Sequence, residues 1–473
     1  MDGKRELRLG KKENMDNALD AVLIKREKCL TEMVSEQVLE EYMQSMQNLG
    51  TLDRDIQYSL LLDMNLIEMK CPEAIYPDFY IQKKRMMEEL AQSYYGNMCR
   101  KRHPDRNQKR IAIFTNTWRD ERYSIGIVMA TLANEICRQG YEVAVFIENQ
   151  YRHDERIRDV LNTDLLVNAE DYRSDHEKML LPRIRTYYSK GDTVREKIVD
   201  QIDNIFDYGP SLIIDIADEN SCCSRILYEN FPLFYFPMRS NHGSSMFFHR
   251  YLAVDPDRMK QIIKKYHCFD EKLIAPFTGG ITEFPLAKSE YDKREQLGVE
   301  HSFVLVTVGN RLVHDLSREF ICFVAEYLQE HPQFAWVFVG RDLPDYLLKE
   351  RTQRNLEKQI IVRGYEKDLI ALYHICDVYV NPMRKGGGLS IAWAMHEGLP
   401  VAMLKYTSDG LSWIGEENAI DGGMQELGQY LNALWEDKKL YNEESKKMKE
   451  KADQRTPARC VEQIFRIYSE MEI

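Results

Sequence analysis

The sequence predicts an α/β protein: two doubly wound, Rossmann-like parallel-sheet domains facing a cleft, preceded by an N-terminal helical module. Two observations predict the sheets. Short apolar runs bounded by polar residues alternate with helical stretches, once after Arg110 and again after Gly298, and such regular alternation makes parallel sheets. Pro276, Gly279, Gly280 and Pro285 break the chain between the two series. A third observation predicts the module: before the first series, apolar residues recur at helical spacing.

Residues 1–100 are expected to form that module. Leu19, Val22, Leu23, Leu30, Met33, Val34, Val38, Tyr42, Met43 and Met46 recur along one face, and Glu, Lys and Arg fill the other. Asn48-Leu49-Gly50 ends this stretch, and further helices are expected over 53–69 and 78–95. The module carries no visible chemistry, so its expected role is packing or oligomerisation. A basic linker, Arg100 to Arg110, leads into the first sheet domain, 108–275. Its strands are IAIFT (111–115), YEVAVFI (141–147), SLIIDI (211–216) and LFYFP (233–237), with a helix over 124–138. The charged stretch 150–200 gives no clear element. The second domain, 290–440, repeats the pattern with FVLVTVG (303–309), FAWVFVG (334–340), QIIVRG (359–364), VYVNP (378–382) and LPVAML (399–404). Helices are expected over 315–330, 342–356 and 366–375, and another from near Ser390. The last segment, 441–473, reads as helix and is expected to pack back toward the N-terminal half.

Bulk properties exclude several classes. The 473 residues carry a formal net charge of -12, which argues against a general nucleic-acid binder, since phosphate binding rests on clustered Lys and Arg. Ten cysteines are scattered without a CxxC pair, so neither a zinc site nor a disulfide framework is indicated, and a reducing compartment is expected. The N-terminal MDGKRELRLGKK lacks an apolar signal core. Its basic run (Lys4, Arg5, Arg8, Lys11, Lys12) implies at most peripheral membrane contact. The expected location is the cytoplasm.

Chemistry concentrates in NPMRKGGGLSIAWAMHEGLPV (381–401). A strand ends, three glycines (Gly386, Gly387, Gly388) let the backbone approach a ligand, and a helix begins at Leu389-Ser390. Free N–H groups and the helix dipole at such a start favour an anion, and a diphosphate fits. Ser390 is expected to add a hydroxyl donor or to cap the helix. Arg384 and Lys385 flank the glycines.

This segment resembles the C-terminal domain of GT-B glycosyltransferases, especially the retaining family four group. Pro382, the Gly-rich turn, Ala394-Met395 and Gly398-Leu399-Pro400-Val401 carry the resemblance. VTVGNRL (306–312) resembles the family's first C-domain strand and its phosphate-binding turn. VRGYEKDLIALYHICDVYVNP (362–382) resembles the segment that reads the nucleotide base. IAIFTN (111–116) with YEVAVF (141–146) resembles the opening of its acceptor domain. The likeness covers roughly 108–470 and is strongest over 303–404. It implies a GT-B architecture and a nucleotide-diphosphate sugar, a UDP-sugar, held by Asn310, Arg311, Gly387, Gly388, Leu389 and Ser390. Arg311 would neutralise the leaving diphosphate. Arg363, Tyr365, Arg384, Lys385 and Asp409 are expected near base or sugar. One departure stands out: the family carries two glutamates around the turn, and here those positions hold Lys385 and Trp393. Trp393 cannot accept hydrogen bonds from a ribose.

In the first domain, Asn116, Thr117, Trp118 and Arg119 follow the first strand, and Asn116 and Arg119 are the expected acceptor contacts. His242, in a loop after LFYFP, is a candidate general base. Asp218, with Asp215 and Glu219 at the end of the 211–216 strand, is its rival. No metal is expected, because Asp53-Arg54-Asp55 and Asp255-Pro256-Asp257 do not stand at suitable strand ends. No cofactor is expected beyond the sugar nucleotide. The function implied is metal-independent hexosyl transfer to a glycan or protein acceptor. Alternatives are an inactive GT-B partner subunit and a nucleotide-sugar epimerase of GT-B fold. Expected partners are the nucleotide sugar, the acceptor and, through the N-terminal helices, a second copy or another protein; nucleic acid is not among them.

Overall fold

The structure is a computed structural model that describes residues 19–26, 28–29, 34–48, 54–70, 74–96, 108–116, 118, 124–148, 169–216, 221–238, 247–279, 283–288, 294–299, 302–309, 312–384, 387–406 and 409–471. The chain divides into two compact units. One runs through Phe277 and takes back Ile464–Ile473; the other is Thr278–Gln463.

The first unit opens with helices α1 (Glu36–Asn48), α2 (Arg54–Lys70) and α3 (Phe79–Tyr95). Seven parallel strands follow: β1 (Arg110–Thr115), β2 (Glu142–Ile147), β3 (Arg185–Tyr188), β4 (Leu212–Asp215), β5 (Leu233–Tyr235), β6 (Arg250–Ala253) and β7 (Ile274–Pro276). They lie in the order β3-β2-β1-β4-β5-β6-β7, so the strand order reverses between β1 and β4. Helices α4 (Ser124–Arg138), α5 (Val194–Tyr208), α6 (Cys222–Asn230) and α7 (Pro256–Tyr266) make the crossovers. Helix α5 is set by a capping box: Thr193 accepts from the Glu196 amide, and the Glu196 carboxylate takes the Thr193 amide.

The expected N-terminal helices are present, and they pack into the core of the first sheet. Leu39, Tyr42, Leu61, Phe79, Met87 and Leu90 share one hydrophobic core with Phe114, Phe146, Ile213 and Tyr235 of the sheet. A parallel sheet must be covered on both faces, and α3 covers helices α5 and α6. The Tyr95 hydroxyl donates to Asp203 at 3.0 Å, and Arg195 Nε donates to the Tyr94 carbonyl at 3.3 Å. The chain end belongs to the same unit. Phe465 stacks on Tyr141 with ring centroids 4.2 Å apart, and the Tyr468 hydroxyl donates to the Ser211 carbonyl at 2.8 Å.

The second unit holds β8 (Phe303–Val308), β9 (Phe334–Val339), β10 (Ile360–Arg363), β11 (Val378–Val380) and β12 (Val401–Ala402), in the order β10-β9-β8-β11-β12. Its helices include α8 (Arg318–Glu330), α9 (Asp345–Gln353), α10 (Gly388–His396), α11 (Met424–Glu436), α12 (Lys438–Asp453) and α13 (Pro457–Ser469), whose last residues lie in the first unit. Strand alternation sorts the core into two layers. Val304, Val306, Val337 and Tyr379 face one side; Leu305, Trp336, Phe338, Val378 and Val380 face the other. Relative to the sequence reading, the helix expected over 315–330 starts later, because Ser317 caps the Phe320 amide. The tail breaks between α12 and α13.

Candidate functional site

In an open parallel sheet, ligands bind beyond the strand ends where the order reverses. In the second unit that place lies between β8 and β11. The two strands are tied together from within: the Thr307 hydroxyl donates to the Val380 carbonyl at 2.8 Å and accepts from Trp336 Nε1 at 3.0 Å. Beyond β8 the chain turns at Gly309. Beyond β11 it passes Asn381 and Pro382, reaches Gly387 and enters α10.

Gly387 is the N-cap of α10, with φ 97°, and no side chain caps the first turn. A left-handed φ of this kind suits glycine. The first N–H groups of a helix have no partner inside it, so the amides of Gly388, Leu389 and Ser390, uncapped by any side chain among the described residues, lie at the positive end of the helix dipole. The first backbone bond inside the helix is from Ile391 N to the Gly387 carbonyl, 3.1 Å.

Arg384 lies beneath this turn. Its side chain is 2% exposed. Nε donates to Asn381 Oδ1 at 2.9 Å, and Nη2 donates to the Val308 carbonyl at 2.7 Å and to the Tyr379 hydroxyl at 3.0 Å. Its own amide donates to the Tyr406 hydroxyl at 2.6 Å, which also accepts from Asn381 Nδ2 at 3.2 Å. The guanidinium fits between two glycines. A Cβ on Gly309 would stand 2.2 Å from Nη1, and one on Gly387 would stand 2.5 Å from Nη2. Arg384 therefore faces the interior, not a base or sugar as the sequence suggested.

Ser390 is corrected as well. Its hydroxyl donates to the Gly387 carbonyl at 3.0 Å and is 2.8 Å from the Tyr379 hydroxyl. The hydrogen is used inside the turn, so Ser390 can offer a ligand its amide but not its hydroxyl. Trp393, where the resembling family has a glutamate, is half-buried and packs against the core. Glu397, a turn further on, lies 2.7 Å from His374 Nε2.

Of the base or sugar candidates, Tyr365 is exposed just past β10. Arg363 is engaged by Glu366 at 3.4 Å. Asp409 opens the short helix Asp409–Ile414, with its side chain outside the described set. Asn310, Arg311, Lys385, Asp218, His242 and Arg119 all lie outside the described residues.

In the first unit, the corresponding place lies between β1 and β4. Asn116 is buried there. Trp118 is fully buried and stacks on His176, centroids 4.0 Å apart. The ring fills space that Gly126 leaves open, since a Cβ there would stand 2.2 Å from the indole nitrogen. Two buried carboxylates mark the strand ends, Glu148 after β2 and Asp215 on β4. The Ser224 hydroxyl donates to Asp215 at 2.8 Å. Cys223 and Ser221 are the groups that hydrogen-bond to Glu148 and partly offset its burial. Burial pushes the Glu148 carboxyl up to about 8, and the Asp215 charge adds to the push. Sequence reasoning passed over Glu148 because an acidic residue just past a strand looks like an ordinary surface group.

Residues 290–455 match the family described as Glycosyl transferases group 1. A curated Escherichia coli protein, UDP-Gal:alpha-D-GlcNAc-diphosphoundecaprenol alpha-1,3-galactosyltransferase, is 26% identical over 195 residues. That match covers 37% of this chain and 48% of the relative, so the chain spans about half the relative's length. Anabaena Alr3699/HepE, solved in complex with UDP, superposes with a TM-score of 0.57 at 16% identity, over 76% of this chain and 100% of that one. A mutant of the O-GlcNAc transferase of Thermobaculum terrenum gives 0.54 at 13% identity, over 92% and 86%. The two parallel sheets of this chain thus form the GT-B fold of glycosyltransferases. Within that fold, the likeness to the group 1 glycosyl transferases is confined to residues 290–455, most of the second unit.

Proposed function

We propose that the chain transfers a hexose from a UDP-sugar to a glycan or protein acceptor without a metal ion. The observation that carries this reading is the uncapped start of α10, opened by left-handed Gly387 where the second sheet reverses its order. Uncapped amides and a helix dipole at that place suit a diphosphate. The names of the neighbours support the donor class, one relative being named for UDP-Gal and one structure holding UDP. In this reading Gly387, Gly388, Leu389 and Ser390 present backbone amides, and Asn310 and Arg311 stabilise the charge that builds on the leaving diphosphate. Tyr365 and Asp409 meet base and sugar. The first unit takes the acceptor, with Asn116 and Arg119 as contacts and His242 or Asp218 as base.

A screen of UDP- and GDP-sugars for binding and hydrolysis tests it, with and without EDTA. The expected outcome is UDP-sugar turnover insensitive to EDTA. Arg311→Ala should lower kcat/KM by on the order of 100-fold or more at unchanged melting temperature. Unchanged turnover would remove Arg311 from the diphosphate site.

A second reading is a partner subunit without catalysis. Lys385 and the core-packed Trp393, standing where the resembling family has glutamates, favour it. A chain of that kind would show no thermal stabilisation by any nucleotide or sugar nucleotide.

A further inference from the structure

Arg384 presents an electrostatic anomaly. It is a buried cation, and burying a charge is costly unless a counter-charge meets it. Its hydrogen bonds go to uncharged acceptors: the Val308 carbonyl, the Tyr379 hydroxyl and the Asn381 amide oxygen. The carboxylate nearest to it in the described structure, Asp315 Oδ2, is 3.9 Å from Nη1, outside hydrogen-bonding reach. The cation also stands at the wrong end of a helix. Positive charge is favourable at a helix C-terminus, yet this guanidinium lies against Gly387, the N-cap of α10. Two positive ends are thus pressed together in the interior, and among the described residues the counter-charge that Arg384 meets, Asp315, stands 3.9 Å away.

We infer that Arg384 is a fixed positioning cation for the donor diphosphate, whose phosphates add, across the Gly387 turn, to the counter-charge that Asp315 supplies at 3.9 Å. This rests on the reading proposed above. Arg384 does not grip the nucleotide. It acts through the backbone, locking the Gly309 turn against the Gly387 turn, and through its field at the α10 amides. The locking runs along one chain of hydrogen bonds, from Arg384 Nη2 to the Tyr379 hydroxyl, on to Ser390 Oγ and then to the Gly387 carbonyl. Nε and Nη2 hold three acceptors from one planar fork, a rigid geometry that the ammonium of a lysine does not offer.

The test compares UDP, inorganic pyrophosphate and uridine binding by the full chain and by Arg384→Met and Arg384→Lys. Calorimetry gives the Kd for the phosphates, ligand-observed NMR that for uridine, and thermal melting checks the fold. Arg384→Met should weaken UDP and pyrophosphate by on the order of 30-fold or more and leave uridine unmoved. Arg384→Lys, which keeps charge without the fork, should fall between. A purely structural arginine would move uridine and UDP together, and that result overturns the inference, as does unchanged UDP affinity. If the methionine variant does not fold, the lysine variant decides: a loss confined to the phosphates supports the role, and a parallel loss or none overturns it. Wild-type protein that binds neither UDP, GDP nor pyrophosphate sinks the donor reading itself, and this inference with it; wild-type binding with an unaffected variant sinks only the inference.

Discussion

The two sheets reverse their strand order in the same way, yet the two reversal points hold opposite chemistry. Between β8 and β11 the interior carries a buried guanidinium and an open helix start. Between β1 and β4 the neighbouring strand ends carry the buried carboxyls Glu148 and Asp215, and Trp118 fills space beside them. On the proposed reading, the anion sits at the second of these points, and the first holds acid instead. Topology marks where a ligand can sit, and the charge placed beneath the loops determines which ligand that is.

The most forceful way to break the contrast is Gly387→Val. A left-handed φ costs a β-branched residue about 1–3 kcal/mol, and its Cβ would run into the Arg384 guanidinium. UDP binding should fall by on the order of 1,000-fold, read by calorimetry on protein whose circular dichroism is unchanged. Retained affinity would detach the glycine turn from the anion.

The acidic side is probed by pH. The folded-state value of Glu148, about 8, lies above its ordinary 4.5. The folded chain then keeps a proton that the unfolded chain has released. Stability from this group is full below about 4.5 and is lost as pH rises to about 8. Urea unfolding across that window should show wild type losing about 5 kcal/mol relative to Glu148→Gln, each pKa unit being worth about 1.4 kcal/mol. Parallel curves would mean that the first reversal point does not hold a neutral acid.

The mildest change sharpens the basic side. Tyr379→Phe deletes one link between Arg384 and Ser390, worth about 0.5–1.5 kcal/mol. UDP affinity should drop by roughly two- to ten-fold, with uridine unaffected.

The second unit was largely legible because β8, β9 and β11 are apolar runs ended by glycine or asparagine-proline. The left-handed turn at Gly387 follows from a glycine run before a helix. The first unit was less legible. RTYY at β3 is short and half-exposed, and β6 and β7 are equally short, so their pattern does not rise above the charged surroundings. The capping box at Thr193 and Glu196 was a readable signal for α5 that went unused. In the site, Arg384 was visible as a residue but not as a buried one. Its position depends on Val308, Tyr379 and Asn381 closing around it, and contacts between strand ends leave no spacing rule in a sequence. Glu148 failed for the same reason, since its burial comes from elements far along the chain.

The return of Ile464–Ile473 to the first unit has a consequence for biosynthesis. A ribosome delivers the helices and seven strands of that unit long before Phe465 and Tyr468, the residues that cover Tyr141 and the Ser211 carbonyl. The whole of Thr278–Gln463 must emerge in between. Until Phe465 and Tyr468 emerge, the nascent first unit carries an uncovered aromatic edge, and this is the interval in which a chaperone would be most needed.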